Sequence, residues 1–271
     1  LIIIHLIKYY ILPISLLFST KSFCNSTIDT IFLCYGKVPV HQITNFKYVI
    51  LEEVHYTKEE ITQLKQKNEK VLCYISLGEI HKYVSFFKEA KNYTLDGKNT
   101  IWDSYYLDLN QKPLQEILLK NIQEKLTKGF DGLFLDNIDN YGPYGKQKKQ
   151  TKQLVEFLTT IKNRFPEVYL MQNAGLAIIK HTHTFINSVA IESVITNYNF
   201  EKNKYLFREK KESKKIIERL KKIEEDYKLP ILLIEYTESK RKCNKIKRKL
   251  NKYDWPVFIG QINLQKKPTF N

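Results

Sequence analysis

Eight short runs of strand-forming residues, each followed by helical or turn-rich sequence, recur along the chain and constrain its fold more than any other feature. They are TIFLCYG ending near Gly36, KYVILEE near Glu53, KVLCYISLGE near Glu79, DGLFLDN near Asn137, VYLMQNAG near Gly175, SVAIES near Ser193, PILLIEYT near Thr237 and PVFIGQ near Gln261. The runs are brief and rich in β-branched and aromatic residues, so they read as strands. A further extended piece, SYYLDL, lies between the third and fourth runs and reads as an insertion strand.

The intervening sequence is helical. TKEEITQLKQKN opens on Thr57 with Glu60 three residues on, a capping box that satisfies free amides at a helix start. KPLQEILLKNIQEKLTKG carries Pro113 in its first turn and Gly129 just past its end, the usual helix asymmetry. GKQKKQTKQLVEFLTTIKNRF and FREKKESKKIIERLKKIEEDYK are also amphipathic. Strands alternating with helices over 271 residues predict an α/β fold, a single-domain (β/α)8 TIM barrel, which commonly takes about 250 residues. An open doubly wound sheet is the rival, disfavoured because no Gly-rich phosphate turn follows the first strand.

Apolar content of 43% is ample for a packed core. Against 29 Asp+Glu stand 44 Lys+Arg, a formal charge of +15. The lysines are spread along the helices rather than gathered into an arm. The densest cluster, SKRKCNKIKRKLNK from Ser239 to Lys252, keeps Ile246 and Leu250 four apart and contains no aromatic residue. It therefore reads as a solvated outer helix, and no nucleic-acid partner is expected. Residues 1–26 are apolar as far as Phe18 and resemble a signal peptide or an N-terminal membrane anchor, leaving 27–271 for the barrel. Membrane attachment through that segment is one expectation; the bulky Phe23 before Cys24 argues against a lipid-modified cysteine. Cys34, Cys73 and Cys243 are widely spaced, so neither a disulfide framework nor a zinc site is indicated. His181 and His183 lack an acidic third ligand nearby, and no metal is expected.

Barrel enzymes take their reacting groups from the C-terminal ends of the strands. Here those ends are acidic: Glu52 and Glu53, Glu79, Asp136 and Asp139, Glu192, and Glu235. Carboxylates held together raise one another's pKa, which keeps one protonated as a general acid. Taken singly, each could equally cap a helix or pair with a lysine. Paired carboxylates without a metal motif suggest glycoside hydrolysis, and no G-x-S-x-G motif offers a serine nucleophile. Tyr74, Trp102, Tyr141 and Tyr236 lie beside these acids and could stack on sugars, although aromatics are also ordinary core residues. Asn137, Gln172 and Asn173 supply neutral hydrogen-bonding groups for hydroxyls or an acetamido group.

VLCYISLGE with GFDGLFLDNIDNY, then QNAG, AIESV and LIEY in that order, resemble the glycoside hydrolase family 114 proteins, the endo-α-1,4-polygalactosaminidase-related barrels. The similarity runs from about Phe32 to Gln261. It implies a retaining glycosidase that needs no cofactor and cleaves α-1,4-linked galactosamine or N-acetylgalactosamine polysaccharide. The resemblance implies a secreted protein; with the apolar leader the expectation is a protein that is secreted, periplasmic or membrane-anchored facing outside, and a monomer is expected. By motif position Asp136 matches the nucleophile and Glu192 the acid/base, with Glu235 as the competitor for the second role. Asp139 is a candidate to hold a substrate amine, and Tyr74, Glu79, Trp102, Asn137, Tyr141, Gln172, Asn173 and Tyr236 to line the substrate site. Asp131 begins its strand and reads as a turn residue at the barrel bottom. The Lys-rich segment ITNYNFEKNKYLF after AIESV matches none of the family motifs, so a non-catalytic carbohydrate-binding barrel is the alternative.

Overall fold

The structure, a computed structural model, describes residues 29–270; the leader and Cys24 lie outside the described residues. Along the chain run strands β1 (Asp29–Cys34), β2 (Phe46–Leu51), β3 (Lys70–Ser76), β4 (Glu79–His81), β5 (Thr94–Asn99), β6 (Ser104–Leu107), β7 (Gly132–Asp136), β8 (Tyr169–Asn173), β9 (Ser188–Glu192), β10 (Thr196–Asn199), β11 (Lys204–Phe207), β12 (Ile231–Tyr236) and β13 (Val257–Gly260). The helices are α1 (Lys58–Lys65), α2 (Phe87–Ala90), α3 (Lys112–Thr127), α4 (Thr151–Arg164), α5 (Ile179–Thr182), α6 (Lys210–Tyr227) and α7 (Lys240–Leu250).

The eight runs read as strands from the sequence form one parallel sheet in the order β1-β2-β3-β7-β8-β9-β12-β13. Its two ends approach each other: just past β1 the Tyr35 N–H donates to the Leu264 carbonyl at 2.7 Å. The result is a nearly closed (β/α)8-type barrel with helices outside. The helical layer is thinner than the sequence expectation at two places. Only a 3-10 turn (Val40–Gln42) follows β1, and only the four-residue α5 follows β8.

Two antiparallel inserts stand on the C-terminal rim. SYYLDL supplies β6, the middle strand of a sheet β4-β6-β5 that leaves the barrel after β3. The Lys-rich segment after β9 folds as the hairpin β10–β11, pairing Tyr198 with Tyr205.

Alternation along the barrel strands sorts their residues between two cores, because successive side chains point to opposite faces. Leu33, Ile50, Leu72, Phe134, Met171 and Leu232 fill the barrel interior. Their neighbours Phe32, Val49, Cys73, Leu133, Leu170 and Leu233 point outward into a larger core shared with the helices. Carried to the strand ends, the same parity turns Tyr35, Glu52, Tyr74, Asp136, Asn173, Glu192 and Tyr236 inward. Glu53, Gln172 and Glu235 turn outward.

Local signals behave as the sequence suggests. The Thr57–Glu60 capping box forms reciprocally at the start of α1. Gly129, past α3, sits at φ 113, a conformation that favours glycine. Asp131 lies at the barrel bottom, accepting the Val71 N–H at 2.8 Å and pairing with Lys65 at 2.9 Å.

The basic cluster from Ser239 to Lys252 is the outer helix α7, whose first turn is capped by the Ser239 hydroxyl. It buries Cys243, Ile246 and Leu250 and leaves the intervening basic residues largely to solvent. Truncating the fully buried Ile246 to alanine should therefore cost about 2–5 kcal/mol. Exposed Lys247→Gln should stay within about 0.5 kcal/mol. Chemical denaturation compares them; equal losses would contradict the burial of this one stripe.

Candidate active site

Three neighbouring barrel strands end in the residues that make up the site: β7 in Asp136, β8 in Asn173 and β9 in Glu192. Parallel pairing brings these ends side by side, and parity points all three side chains into the mouth. The Asn173 side-chain amide stands between the two acids. Its Nδ2 donates to Asp136 Oδ1 at 2.9 Å and to Glu192 Oε1 at 2.7 Å. Each carboxylate is held from its other oxygen by a tyrosine. Tyr74, on β3, donates to Asp136 Oδ2 at 2.9 Å, and Tyr236, at the end of β12, donates to Glu192 Oε2 at 2.7 Å. Tyr35 packs against Tyr74 with ring centroids 4.7 Å apart.

Both phenols can only act as donors here, since burial pushes Tyr74 and Tyr236 well above the usual phenol range, and the neighbouring carboxylates add to the shift. Tyr35 is raised in the same way, by burial first and then by Asp136, Glu192 and Glu52. Glu192 is held above the ordinary carboxyl range, chiefly by burial and next by the charge of Asp136; its bonds from Tyr236 and Asn173 oppose this only in part. The arrangement thus combines a carboxylate with a neighbouring carboxyl group biased toward its protonated form. Asp139 is open to solvent on one side but crowded by protein on the other. Lost solvation, followed by Asp136 and Glu79, raises it as well. On β2's end, Glu52 is pushed up to about 6 by burial and by Glu53. Glu53 itself faces outward and pairs with the buried ammonium of Lys125.

Other residues expected at the site lie elsewhere, and each displacement has a physical reason. Glu235 is one position out of phase with Tyr236, so it faces away from the mouth and is 0% exposed. Its carboxylate accepts the backbone N–H groups of Ile195 and Thr196, each at 2.9 Å, and the Thr196 hydroxyl, which fixes the base of the β10–β11 hairpin. Gln172 is likewise out of phase with Asn173, fully buried, and donates to the Ala174 carbonyl at 2.9 Å. Tyr141 is buried in the loop after β7, its hydroxyl donating to the Leu77 carbonyl at 2.7 Å. Glu79 is only 7% exposed and takes bonds from Ser104, Asn99 and Asn140, so it anchors the other insert. Trp102 sits at the tip of that insert, 51% exposed. Asn137 accepts a bond from the Ser76 hydroxyl at 2.6 Å.

Tyr35 was not singled out from the sequence. Its signal was parity: it is the next inward position after Leu33. Glu52 was noted only as one acid of a pair, and the pairing of Glu53 with Lys125 is what distinguishes the two. His181 and His183 flank the end of α5, where the His183 ring packs on Tyr227 at 4.4 Å between centroids. Among the described residues no group of three or more His, Cys, Asp or Glu side chains is arranged to hold a metal ion.

The residues following the three site positions share one feature. Asn137, Ala174 and Ser193 all have left-handed backbone, at φ 58, 56 and 56. Non-glycine residues adopt this region at a cost, and such strain gathers at functional sites.

Two titrations follow from these charges. Removing the negative charge in Asp136→Asn should move Glu192 to lower pH, read by carbon NMR of labelled glutamate carboxyls; an unmoved titration would mean that the two acids do not interact. Glu52, raised in the fold, stabilises fully below its unfolded value near 4.5, and that contribution is lost as pH rises through about 6. Allowing for its partial exposure, Glu52→Gln should gain about 1 kcal/mol relative to the parent between pH 4 and pH 7. Denaturation at the two pH values measures it.

The barrel has counterparts among known proteins. The glycoside hydrolase domain of PelA from Pseudomonas aeruginosa superposes with a TM-score of 0.78 at 21% identity, covering 88% of this chain and 96% of that one. Ega3 of Aspergillus fumigatus, solved in complex with galactosamine, superposes with a TM-score of 0.70 at 15% identity, covering 89% and 94%. At these identities the likeness shows the shared fold. No curated protein matches the sequence. The sequence model of Glycoside-hydrolase family GH114 matches residues 21–266, nearly the whole chain, and on that match the protein belongs to this glycoside hydrolase family.

Proposed function

We propose that the protein hydrolyses α-1,4-linked galactosamine or N-acetylgalactosamine polysaccharide with retention of anomeric configuration, using Asp136 as nucleophile and Glu192 as acid/base. The observation that carries this reading is the Asn173 amide shared by the two carboxyl groups. Their accepting oxygens can be no farther apart than its two bonds laid end to end, about 5.6 Å, a bound that accommodates the roughly 5–5.5 Å of a retaining pair.

In the first step an Asp136 oxygen attacks the anomeric carbon while Glu192 gives its proton to the departing glycosidic oxygen. A covalent glycosyl ester and a shortened sugar chain result. In the second, Glu192, now a carboxylate, takes a proton from water as that water displaces Asp136 from the anomeric carbon. Burial and the charge of Asp136 favour the protonated Glu192 at the outset; conversion of Asp136 to a neutral ester removes the second influence, so Glu192 becomes a stronger acid and can wait as the base. Tyr74, Tyr236 and Asn173 hold both groups in place throughout.

Substrate choice rests on charge. Galactosamine units that lack the acetyl group are cationic. Among the described residues Asp136, Asp139 and Glu192 form no ion pair with a lysine or arginine, and Glu52 meets only His55, at 4.0 Å. A mouth lined by uncompensated carboxylates attracts such a chain although the protein as a whole is positive. The galactosamine held by Ega3 supports the same choice. The apolar residues 1–26 support action outside the cell, where such polymers lie.

Incubation with partly deacetylated galactosaminan should release new reducing ends, identified by mass spectrometry, with the retained anomer seen first by proton NMR. Asp136→Asn, which keeps the volume and loses the charge, should lower turnover by at least ~10³-fold with an unchanged circular dichroism spectrum. Saturable binding of the polymer without any cleavage by the parent protein would instead favour the carbohydrate-binding alternative.

A further inference from the structure

The two rim inserts meet. The β4-β6-β5 sheet leaves the barrel after β3 and the β10–β11 hairpin after β9, so the inserts flank the strands β7 and β8 that carry Asp136 and Asn173. At their tips Trp102 and Phe200 touch edge to face, with ring centroids 5.4 Å apart and planes at 84°. Behind Phe200 the contacts continue. Tyr198 lies 5.0 Å from Phe200 and 4.8 Å from Tyr205, and Tyr205 packs against the barrel interior. A run of touching rings therefore leads from the tip of one insert, through the other, to the core beneath the catalytic acids.

We propose that Trp102 and Phe200 are a clasp that closes over the bound sugar chain and stacks on pyranose units beyond the cleaved linkage. This rests on the glycosidase reading above. Trp102 and Phe200 remain 51% and 40% exposed, so aromatic surface stays open on both jaws at the one place where they meet. Such surface matches the C–H faces of sugar rings. A single edge contact is also a weak tie that thermal motion opens, as entry of a polymer requires.

The two jaws are built differently. The first is pinned: Asp103, beside Trp102, pairs with Lys98 and with Lys82 at 3.3 Å, and Asn99 is tied to Glu79 at 3.2 Å. The second is secured at its base, where Glu235 grips Ile195 and Thr196. Farther out Tyr205 ties it to the barrel, its carbonyl accepting the Lys242 ammonium at 2.7 Å and its hydroxyl accepting the Ile262 N–H at 3.1 Å. Both jaws are therefore held close to their tips, and opening needs to part only the Trp102–Phe200 contact.

The chain's two tryptophans make the clasp observable. Trp255 is 7% exposed and donates to Glu224, so Trp255→Phe leaves Trp102 as the sole reporter. Titration of that variant with galactosamine oligosaccharides of two to eight units should change the Trp102 emission as the chain lengthens. In the parent background, Trp102→Ala and Phe200→Ala should each lower the ratio of polymer to trisaccharide turnover by about tenfold, mainly through a higher KM for polymer. Oligosaccharide binding, seen by calorimetry, with unchanged emission would overturn the clasp alone, as would an unchanged turnover ratio. Oligosaccharides that are neither bound nor cleaved by the parent protein would overturn the glycosidase reading and the clasp with it.

Discussion

Everything at the mouth depends on the two-residue alternation of a strand that is buried on both sides. In a nearly closed parallel barrel a residue at a strand end has two destinations, the interior mouth or the layer beneath the helices, and its distance from the last interior residue decides between them. Phe134 fills the interior, so Asp136 enters the mouth. Ile234 fills it on β12, so Tyr236 enters and Glu235 is turned away. Glu192 and Glu235 are similar in composition of surroundings and position at a strand end, yet one meets Asp136 through a shared amide while the other holds up a hairpin.

This explains why much of the fold was legible in the sequence and why the site was legible only in part. Eight short apolar runs and the helices between them were readable because burial and periodicity act over many residues at once. The runs are apolar on both faces, however, so hydropathy gives no sign of which face is which; LLIEY looks the same read in either phase. The inward turn of Tyr35 and the outward turn of Gln172 and Glu235 therefore leave no mark in the hydropathy. The phase could have been taken from Asp136, already picked out, and carried across the sheet by register, since Ser76 pairs with Asp136 and Gln172 with Leu135. Tyr141 was misplaced for another reason. It belongs to a loop, where no period applies, and its hydroxyl is used to satisfy a buried carbonyl. The β10–β11 hairpin was hidden because Thr196–Asn199 and Lys204–Phe207 are half polar and so lack the signature of the barrel strands.

The misplaced acids still contribute to the mouth, at one remove. Glu79 and Glu235 are buried beneath the two inserts, each accepting several hydrogen bonds from the segment it supports. Removing such a group would leave backbone and amide donors without partners, a larger loss than the bonds themselves are worth. Acids at or near the strand ends of this family member thus differ in surroundings: Asp136 and Glu192 open on the mouth, while Glu79 and Glu235 support an insert. The number of donors pointed at each tells them apart: three converge on Glu79 and three on Glu235, while Glu192 meets two.

The left-handed residues that follow Asp136, Asn173 and Glu192 bear on how such a molecule diversifies. Each turns the chain away from the strand axis immediately after the group it positions, so whatever comes next begins outside the constellation. Loops of very different length and chemistry can then be exchanged beyond these elbows while Asp136, Asn173 and Glu192 stay where the barrel puts them. The periphery is thereby free to change its surface without moving the three side chains at the centre of the mouth.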